Sequence, residues 1–374
     1  MGFHGSALPY FPWDSLSGAK ARAAAHPGGI VDLSIGTPVD PTPALAREAL
    51  AAASNSPGYP TVIGTPELRA AMVAWFARRR GVALAEEGVL PTVGSKELVA
   101  HLPSLLGLGS GDVVVHPLVA YPTYDVGARL AGATPLGSDE VSEWPENTRL
   151  VWLNSPGNPH GHVLSVERLR EIVGWARERG AVVAADECYA ELAWDEPWRT
   201  AGVPSLLDPR VTGGDHTGLL VAYSLSKQSN LAGYRAAMVA GDEQILAAIR
   251  EIRKHTGMML PGPVQAAMTA VLGDDSHMVA QRELYRARRD LLAPAAEAAG
   301  LELDPASAAG LYLWGRGASS SSDVVDALAA RGILAAPGTF YGPAGEGYVR
   351  MALSATDERI AAAVERLGES PLAL

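Results

Sequence analysis

The feature that most restricts the fold is an alternation of short, apolar, β-branched runs with longer amphipathic ones. The runs Asp112–His116, Arg149–Leu153, Ala181–Asp186, Leu219–Ser224 and Ala237–Ala240 read as strands. Around them, helical periodicity predicts helices over Pro43–Ala53, Pro66–Arg80, Lys96–Leu106, Val166–Arg179, Glu243–Lys254 and Pro263–Leu272. Strands that alternate with helices build βαβ units, so the expected core is an α/β arrangement with a mainly parallel sheet between helices. The run AVVAAD, ending at Asp186, is apolar up to its last residue, as a strand buried on both faces requires.

After a long helical stretch from Ser276 to Ala299 the texture changes. Shorter strands (Leu311–Trp314, Gly332–Ala336, Tyr348–Ala352) mix with helices over Asp323–Arg331 and Thr356–Leu367, which reads as a second, smaller α+β domain. The polar stretch GASSSSD (Gly317–Asp323) reads as a connector whose end can cap the next helix. The expected division is residues 1–40 as an N-terminal arm and part of the small domain, 41–280 as the large domain, and 281–374 as the C-terminal small domain. No internal repeat is visible.

Composition narrows the function classes. The formal net charge of −11 argues against a nucleic-acid or anionic-membrane partner, either of which needs clustered Lys and Arg. The single cysteine, Cys188, rules out a disulfide within the chain and a cysteine-based zinc site, and it fits a reducing cytoplasm. The start of the chain shows no basic, apolar leader, and no apolar run approaches the roughly 18 residues of a membrane span. The Lys+Arg total of 30 hides only four lysines: Lys20, Lys96, Lys227 and Lys254. Chemistry that needs an amine therefore has four candidates.

Lys227 lies in SLSKQSNLAGYR, directly after the strand ending at Ser224, where parallel sheets bind ligands. Taken alone it reads as a solvated loop lysine, and the surrounding pattern reverses that reading. Hydroxyls at Ser224 and Ser226, with Arg235, are suited to a phosphate. Asp186 ends its strand at the same edge and, if buried, needs a cationic partner; it could otherwise cap the next helix. Tyr189 follows three residues later. NSPGNPHG (Asn154–Gly161) marks a rigid turn in which Asn158 can donate its amide, while Asn154 fits a purely structural turn role. In GSKE, Gly94, Ser95 and Lys96 stand at a helix start whose N–H groups suit an anion. In AYPTY, Tyr121 is the candidate to lie flat on a ring, and Tyr124 is expected to pack. Arg350, in YVRMALS, is an arginine among apolar strand residues; it suits a carboxylate, or else an ion pair within its own lobe.

These are the groups that pyridoxal-5′-phosphate (PLP) needs: an amine for the Schiff base, an acid for the pyridine nitrogen, donors for the 3-oxygen, a stacking ring and a phosphate cradle. Together the motifs resemble the fold-type I PLP enzymes of the aspartate-aminotransferase-like superfamily, from DLSIGTPVDPTP (Asp32–Pro43) to YVRMALS. SLSKQSNLAGYR is similar to the signature SxSKxxxLxGxR, and NSPGNPHG to NxPxNPTG, with His160 in place of Thr. His160 is expected to face the turn, or else to touch substrate. The stretch VTGGDHTG before the lysine strand looks like a surface-loop insertion.

The resemblance implies roles. Lys227 would carry the Schiff base and move the proton, Asp186 would pair with the pyridinium, Asn158 and Tyr189 would hold the 3-oxygen, and Tyr121 would stack. Gly94, Ser95, Lys96, Ser224 and Arg235 would hold phosphate, while Arg350, Asn158 and the backbone N–H of Gly36 would meet the substrate carboxylate. GYPTVIGTPELR resembles YxxxxGxxxLR, whose tyrosine reaches the phosphate of a neighbouring subunit. Tyr59 would do so here, in a homodimer with two shared sites.

Within the superfamily, PYFPWDSL, SIGTPVDPTP, GSKELVAHLP and AYPTYDVGARLAG resemble the actinobacterial succinyldiaminopimelate transaminases of lysine biosynthesis. These move an amino group from glutamate to N-succinyl-2-amino-6-oxopimelate. The alternatives are a related aminotransferase of specialised metabolism and a PLP-dependent lyase or synthase on the same fold. A regulator with an added DNA reader has no room before Asp32, and a dinucleotide-binding dehydrogenase lacks its GxGxxG.

Overall fold

The computed structural model describes residues 8–372; the opening residues, on which the absence of a leader was read, lie outside these. A short strand β1 (Val31–Asp32) precedes the central sheet. That sheet contains β2 (Val89–Val93), β3 (Val113–His116), β4 (Thr134–Gly137), β5 (Thr148–Asn154), β6 (Val182–Asp186), β7 (Leu219–Ser224) and β8 (Ala236–Gly241), in the order β2-β8-β7-β6-β5-β3-β4. Strands β3 to β7 are parallel, and β8 alone runs against its neighbours β7 and β2.

Alternation along these strands sends residues to two faces. Val113, Val115, Val151, Val183 and Val221 pack into one cluster, while Val114, Leu150, Ala184, Leu220 and Ala222 pack into another. Both faces are therefore dry, which is why the strands are apolar throughout rather than in alternation. Each fully buried Val or Leu contributes about 1.5–3 kcal/mol relative to exposure.

The sequence reading missed β2, β4 and a helix over Thr123–Ala131. Pro91 sits in the middle of β2 and reads as a break. It is tolerated because β2 is an edge strand, paired only with β8. The Thr-Pro-Leu-Gly of β4 lies at the opposite edge. The helix over Thr123–Ala131 contains Gly127, where a Cβ would come within 2.8 Å of the Val99 carbonyl. The glycine reflects close packing against the helix Ser95–Leu105 rather than a loop. The helix expected over Pro66–Arg80 is α-helical to Trp75 and then opens into a π-helical turn, Phe76–Arg80, closed by Gly81 at φ 66°.

The C-terminal part carries β9 (Glu302–Leu303), β10 (Tyr312–Arg316), β11 (Ile333–Leu334), β12 (Ala336–Pro337) and β13 (Tyr348–Ala352). The single strand expected over Gly332–Ala336 is two. β11 pairs with β1, whereas β12 joins a four-stranded antiparallel sheet in the order β12-β13-β10-β9. Ser320 caps the helix Ser321–Ala330 by accepting from the Asp323 N–H, so the serine-rich stretch ends as a helix start.

A third apolar cluster gathers Val31 and Leu33 with Leu292, Leu311, Val349 and Ile360. The helix Ser276–Ala298 runs past the Lys227 loop and into this cluster. Its Tyr285 hydroxyl donates to the Lys227 carbonyl (3.3 Å), its Gln281 accepts from Asn230 (2.7 Å), and its Arg288 pairs with Asp40 (2.6 Å). The boundary expected at 280/281 falls inside this helix. We propose that the described residues up to 40 and from 281 onward nevertheless form the smaller domain, because β1 pairs with β11 and Leu33 is buried among C-terminal side chains. Among the described residues, no helix is long and apolar enough to cross a membrane.

Candidate active site

Parallel strands β5, β6 and β7 end together, with Asn154 in register with Asp186 and Asp186 with Ala222. The loops that leave these ends place Asn158, Asp186, Tyr189, Ser224 and Lys227 around one cavity of about 330 Å³. Ile35, Gly36 and Thr37 close it from the N-terminal side, and Tyr312 and Arg350 from β10 and β13. Every site residue named from the sequence lines this cavity except Gly94, which borders it through Arg235, and Tyr59.

Lys227 lies in a single helical turn, Leu225–Gln228, capped by the Ser224 hydroxyl. Its Nζ donates to the Gly36 carbonyl. Burial holds its pKa below the ordinary amine value; Tyr312 and Cys188 oppose that shift, and the nearby Arg350 and Arg235 cations add to it. Asp186 is buried. Its carboxylate accepts from the Cys188 N–H (3.2 Å) and the Tyr124 hydroxyl (3.1 Å). Burial raises its pKa against these two bonds, and no described cation pairs with it. Tyr124 does stack on Trp152 at 5.2 Å, as a packing residue would, but its bond to Asp186 was not read from the sequence. Cys188 is likewise buried at the cavity wall, its thiol pushed well up by burial and by Asp186.

One end of the cavity is built for an anion. Gly94, at φ 81°, precedes the helix Ser95–Leu105, whose first residues, Ser95 and Lys96, line the cavity with N–H groups that have no partner within the helix. The Arg235 guanidinium lies where a Cβ on Gly94 would stand, so only glycine lets the two approach. Ser224 and Ser226 share a hydroxyl bond of 2.8 Å on the same wall. Arg235 itself holds φ 57° and has no acidic partner among the described residues. Tyr121 borders the cavity with its ring at 85° to that of Tyr124.

The opposite end holds Arg350, 3% exposed. It donates to Asn158 Oδ1 (2.9 Å) and to the Ser34 carbonyl (2.7 Å), and its Nε has no partner. No described carboxylate meets it, so the intralobe ion pair is absent. Its guanidinium lies over the Tyr312 ring, 3.9 Å from the centroid. Asn158 spends its oxygen on Arg350, which leaves its amide hydrogens for the cavity. Asn154 fills the structural turn role: its oxygen accepts from the Asn158 N–H, and its amide donates to the Pro156 and Asp186 carbonyls.

Two sequence features stand apart. Tyr59 is 96% exposed and does not reach the cavity of its own chain. His160 faces the turn, its ring against Gly157 and its Nδ1 accepting from the His162 N–H. Burial and the neighbouring His162 push its pKa down to about 3, so it is neutral, and it borders a smaller cavity of about 140 Å³ rather than this one. A Ser229–His277–Asp274 row, with bonds of 2.8 and 2.8 Å, has the connectivity of a nucleophilic triad. Ser229 is fully buried, and no described cavity reaches it, so the row only pins the lysine loop to the long helix.

Whether PLP suits the cavity can be judged from what the cavity leaves unmatched. A buried carboxylate lacks a cation, two arginines lack anions, a buried amine faces the space between, and a helix start opens on it. A pyridinium and a phosphate supply the missing partners for Asp186 and Arg235, and a substrate carboxylate supplies that for Arg350. The residues fit the group. No described cluster fits a metal ion.

Comparison with known proteins agrees with this. The family of class I and II aminotransferases matches residues 29–367. A probable aminotransferase of Mycobacterium tuberculosis, Rv1178, is 57% identical over 97% of this chain and 86% of its own length. The 4-dedimethylamino-4-oxo-anhydrotetracycline transaminase OxyQ of Streptomyces rimosus is 54% identical over 96% of this chain and 99% of its own. Among solved structures, a probable N-succinyldiaminopimelate aminotransferase of Thermus thermophilus superposes with a TM-score of 0.85 at 29% identity, over 96% of this chain and 100% of the other.

Proposed function

The chain belongs to the class I and II aminotransferases, PLP-dependent enzymes, and from that membership we propose that it carries the amino group of glutamate to N-succinyl-2-amino-6-oxopimelate. The observation that carries the reading is Arg350, a buried guanidinium with two donors engaged and no counter-anion. An α-carboxylate is the group that it lacks. Lys96, at the cavity mouth, also has no described acidic partner. Two separated cations suit substrates with a second, distal carboxylate, as both glutamate and the succinylated acceptor have.

Bound PLP supplies an aldehyde and an electron-withdrawing ring that take up the amino group. The chain's own residues do the rest. Lys227 Nζ is the buried amine that would hold the cofactor and would then carry the proton from the substrate Cα to the cofactor carbon that keeps the nitrogen. Its lowered pKa keeps a larger share of it unprotonated, as a base requires. The Asp186 carboxylate holds the ring N–H, and Tyr124 and Cys188 hold the carboxylate. Asn158 and Tyr189 would donate to the 3-oxygen, and Tyr121 would lie against the ring. Backbone N–H groups at Gly94, Ser95 and Lys96, with the side chains of Ser224 and Arg235, would bind the phosphate, which leaves the Lys96 amine for a distal carboxylate. Arg350 and the Gly36 N–H orient the α-carboxylate. Tyr59, exposed on its own chain, completes the phosphate site of a second copy in a homodimer.

A second reading keeps the chemistry and changes the acceptor. Phe11 and Trp13 line the mouth with Tyr121, an aromatic rim suited to a flat ring ketone, and the identity to a tetracycline transaminase points the same way. A half-transamination screen separates the two. Loaded enzyme meets glutamate, N-succinyl-2,6-diaminopimelate and polycyclic amines while its visible spectrum is followed. Conversion by the first two supports the lysine-pathway reading, and conversion by a polycyclic amine alone overturns it.

A further inference from the structure

Tyr312 was not singled out in the sequence, yet it meets Tyr189, Gly36 and Arg350 at the reacting end of the cavity. It lies on β10, where Trp314 pairs with Arg350 of β13, and it is 5% exposed. Its hydroxyl is 3.1 Å from that of Tyr189, with the rings 5.8 Å apart at 68°. The same hydroxyl stands against Gly36, where any Cβ would collide with it, and the Gly36 carbonyl accepts from Lys227. Its ring face carries the Arg350 guanidinium. We propose that Tyr312 is a positioning residue with two separable jobs: its hydroxyl donates to Tyr189 and so turns the Tyr189 proton into the cavity, and its ring holds Arg350 in place for the carboxylate.

The direction of the bond follows from counting hydrogens. Each phenol has one O–H. Under the reading above, Tyr189 spends its hydrogen on the 3-oxygen of the cofactor, so the hydrogen between the two phenols belongs to Tyr312. The surroundings agree. In the cofactor-free chain burial would raise the Tyr312 pKa, but the Arg350 cation and then Lys227 outweigh it and leave the phenol more acidic than usual; the Arg350 contribution, from a guanidinium 3.9 Å from the ring centroid, remains once Lys227 is bonded. Tyr189 is shifted the other way, by burial and then by Tyr312. The more acidic phenol is the better donor. Receiving this bond strengthens Tyr189 as a donor in turn, because hydrogen bonds in a chain polarise one another. A cofactor 3-oxygen held more firmly would be less basic, and the nitrogen that Lys227 supplies beside it would hold its proton less tightly.

The test uses two variants of the loaded enzyme. Tyr312→Phe removes the hydroxyl and keeps the ring. It should raise the midpoint of the pH-dependent visible absorbance by about half a unit or more, while half-saturation by glutamate changes less than about twofold. Tyr312→Leu removes both and should also weaken glutamate about tenfold, the loss of a desolvated cation–π contact. An unmoved midpoint in Tyr312→Phe overturns the hydroxyl role, and equal weakening of glutamate by the two variants overturns the ring role. The inference rests on Lys227 as the cofactor lysine. If that fails, the unmodified enzyme shows no titrating visible band at all, a result distinct from an unmoved midpoint.

Discussion

Replacing Arg350 by lysine tests the carboxylate site most directly. The guanidinium uses Nη1 on Asn158 and Nη2 on the Ser34 carbonyl, and it stacks on Tyr312 at 3.9 Å. A lysine ammonium keeps the charge and at most three donors, but it cannot present two parallel N–H groups to a carboxylate or lie flat on the ring. The loss is one charge-assisted hydrogen bond, about 1.5–3 kcal/mol, plus about 1 kcal/mol of stacking. A total of about 3 kcal/mol corresponds to a weakening on the order of 100-fold. Titrating the loaded variant with glutamate, and separately with the 2-oxo acid, reads half-saturation from the spectral change. Both ligands should weaken alike, while the visible absorbance before substrate stays that of the unmodified enzyme. Half-saturation within threefold of the parent for a folded variant would refute the assignment and return Arg350 to a packing role.

The other expectations concern the cofactor. Lys227→Ala should lose the visible absorbance, the label left by borohydride reduction and essentially all turnover; retained absorbance with full activity contradicts it. Asp186→Asn should keep the cofactor and lose several orders of magnitude in turnover, and a near-normal rate argues against the pyridinium partner. In the apoenzyme, burial raises the Asp186 pKa above its unfolded value, so its contribution to stability is fully present at acid pH and is lost as pH rises through the folded value. Thermal melts across pH should show that decline in wild-type apoenzyme and not in Asp186→Asn, and saturating PLP should remove it; identical pH profiles for the two apoenzymes refute it. For the shared site, mixing Tyr59→Ala with Lys227→Ala subunits should restore about a quarter of wild-type activity, since half of the dimers then carry one intact site. No recovery on subunit exchange excludes the partner's tyrosine.

How far the site could be read from sequence depended on how local its determinants are. With four lysines in the chain, one of them following a strand in a serine-rich turn, Lys227 stood out, and Asp186 and Asn158 followed from the strand ends beside it. The anion cradle was equally local, because a glycine, a serine and a helix start adjoin in the chain. Tyr312 was not legible. In Leu-Tyr-Leu-Trp it is one apolar strand residue among others, and only the pairing of β10 with β13 puts its ring beneath Arg350. Tyr124 was legible by halves, since sequence indicates a packed aromatic but not the carboxylate that its hydroxyl meets. In the fold, the buried parallel strands were visible as apolar runs, whereas β2 and β4 were hidden by prolines that only an edge position permits. The division of Gly332–Ala336 between two sheets depends on partners about 300 and 15 residues away, Val31 and Arg350, which local pattern cannot supply.

The long helix Ser276–Ala298 ties the Lys227 loop to the cluster that also buries β13, so the two ends of the cavity belong to different halves of the molecule. A ligand long enough to span them acts as a clasp between the halves. An amine without a carboxylate would touch only one half and leave a guanidinium sealed away from water with nothing to neutralise it. Discrimination then comes from reach rather than from a tight fit, and a shortened substrate forfeits speed along with grip.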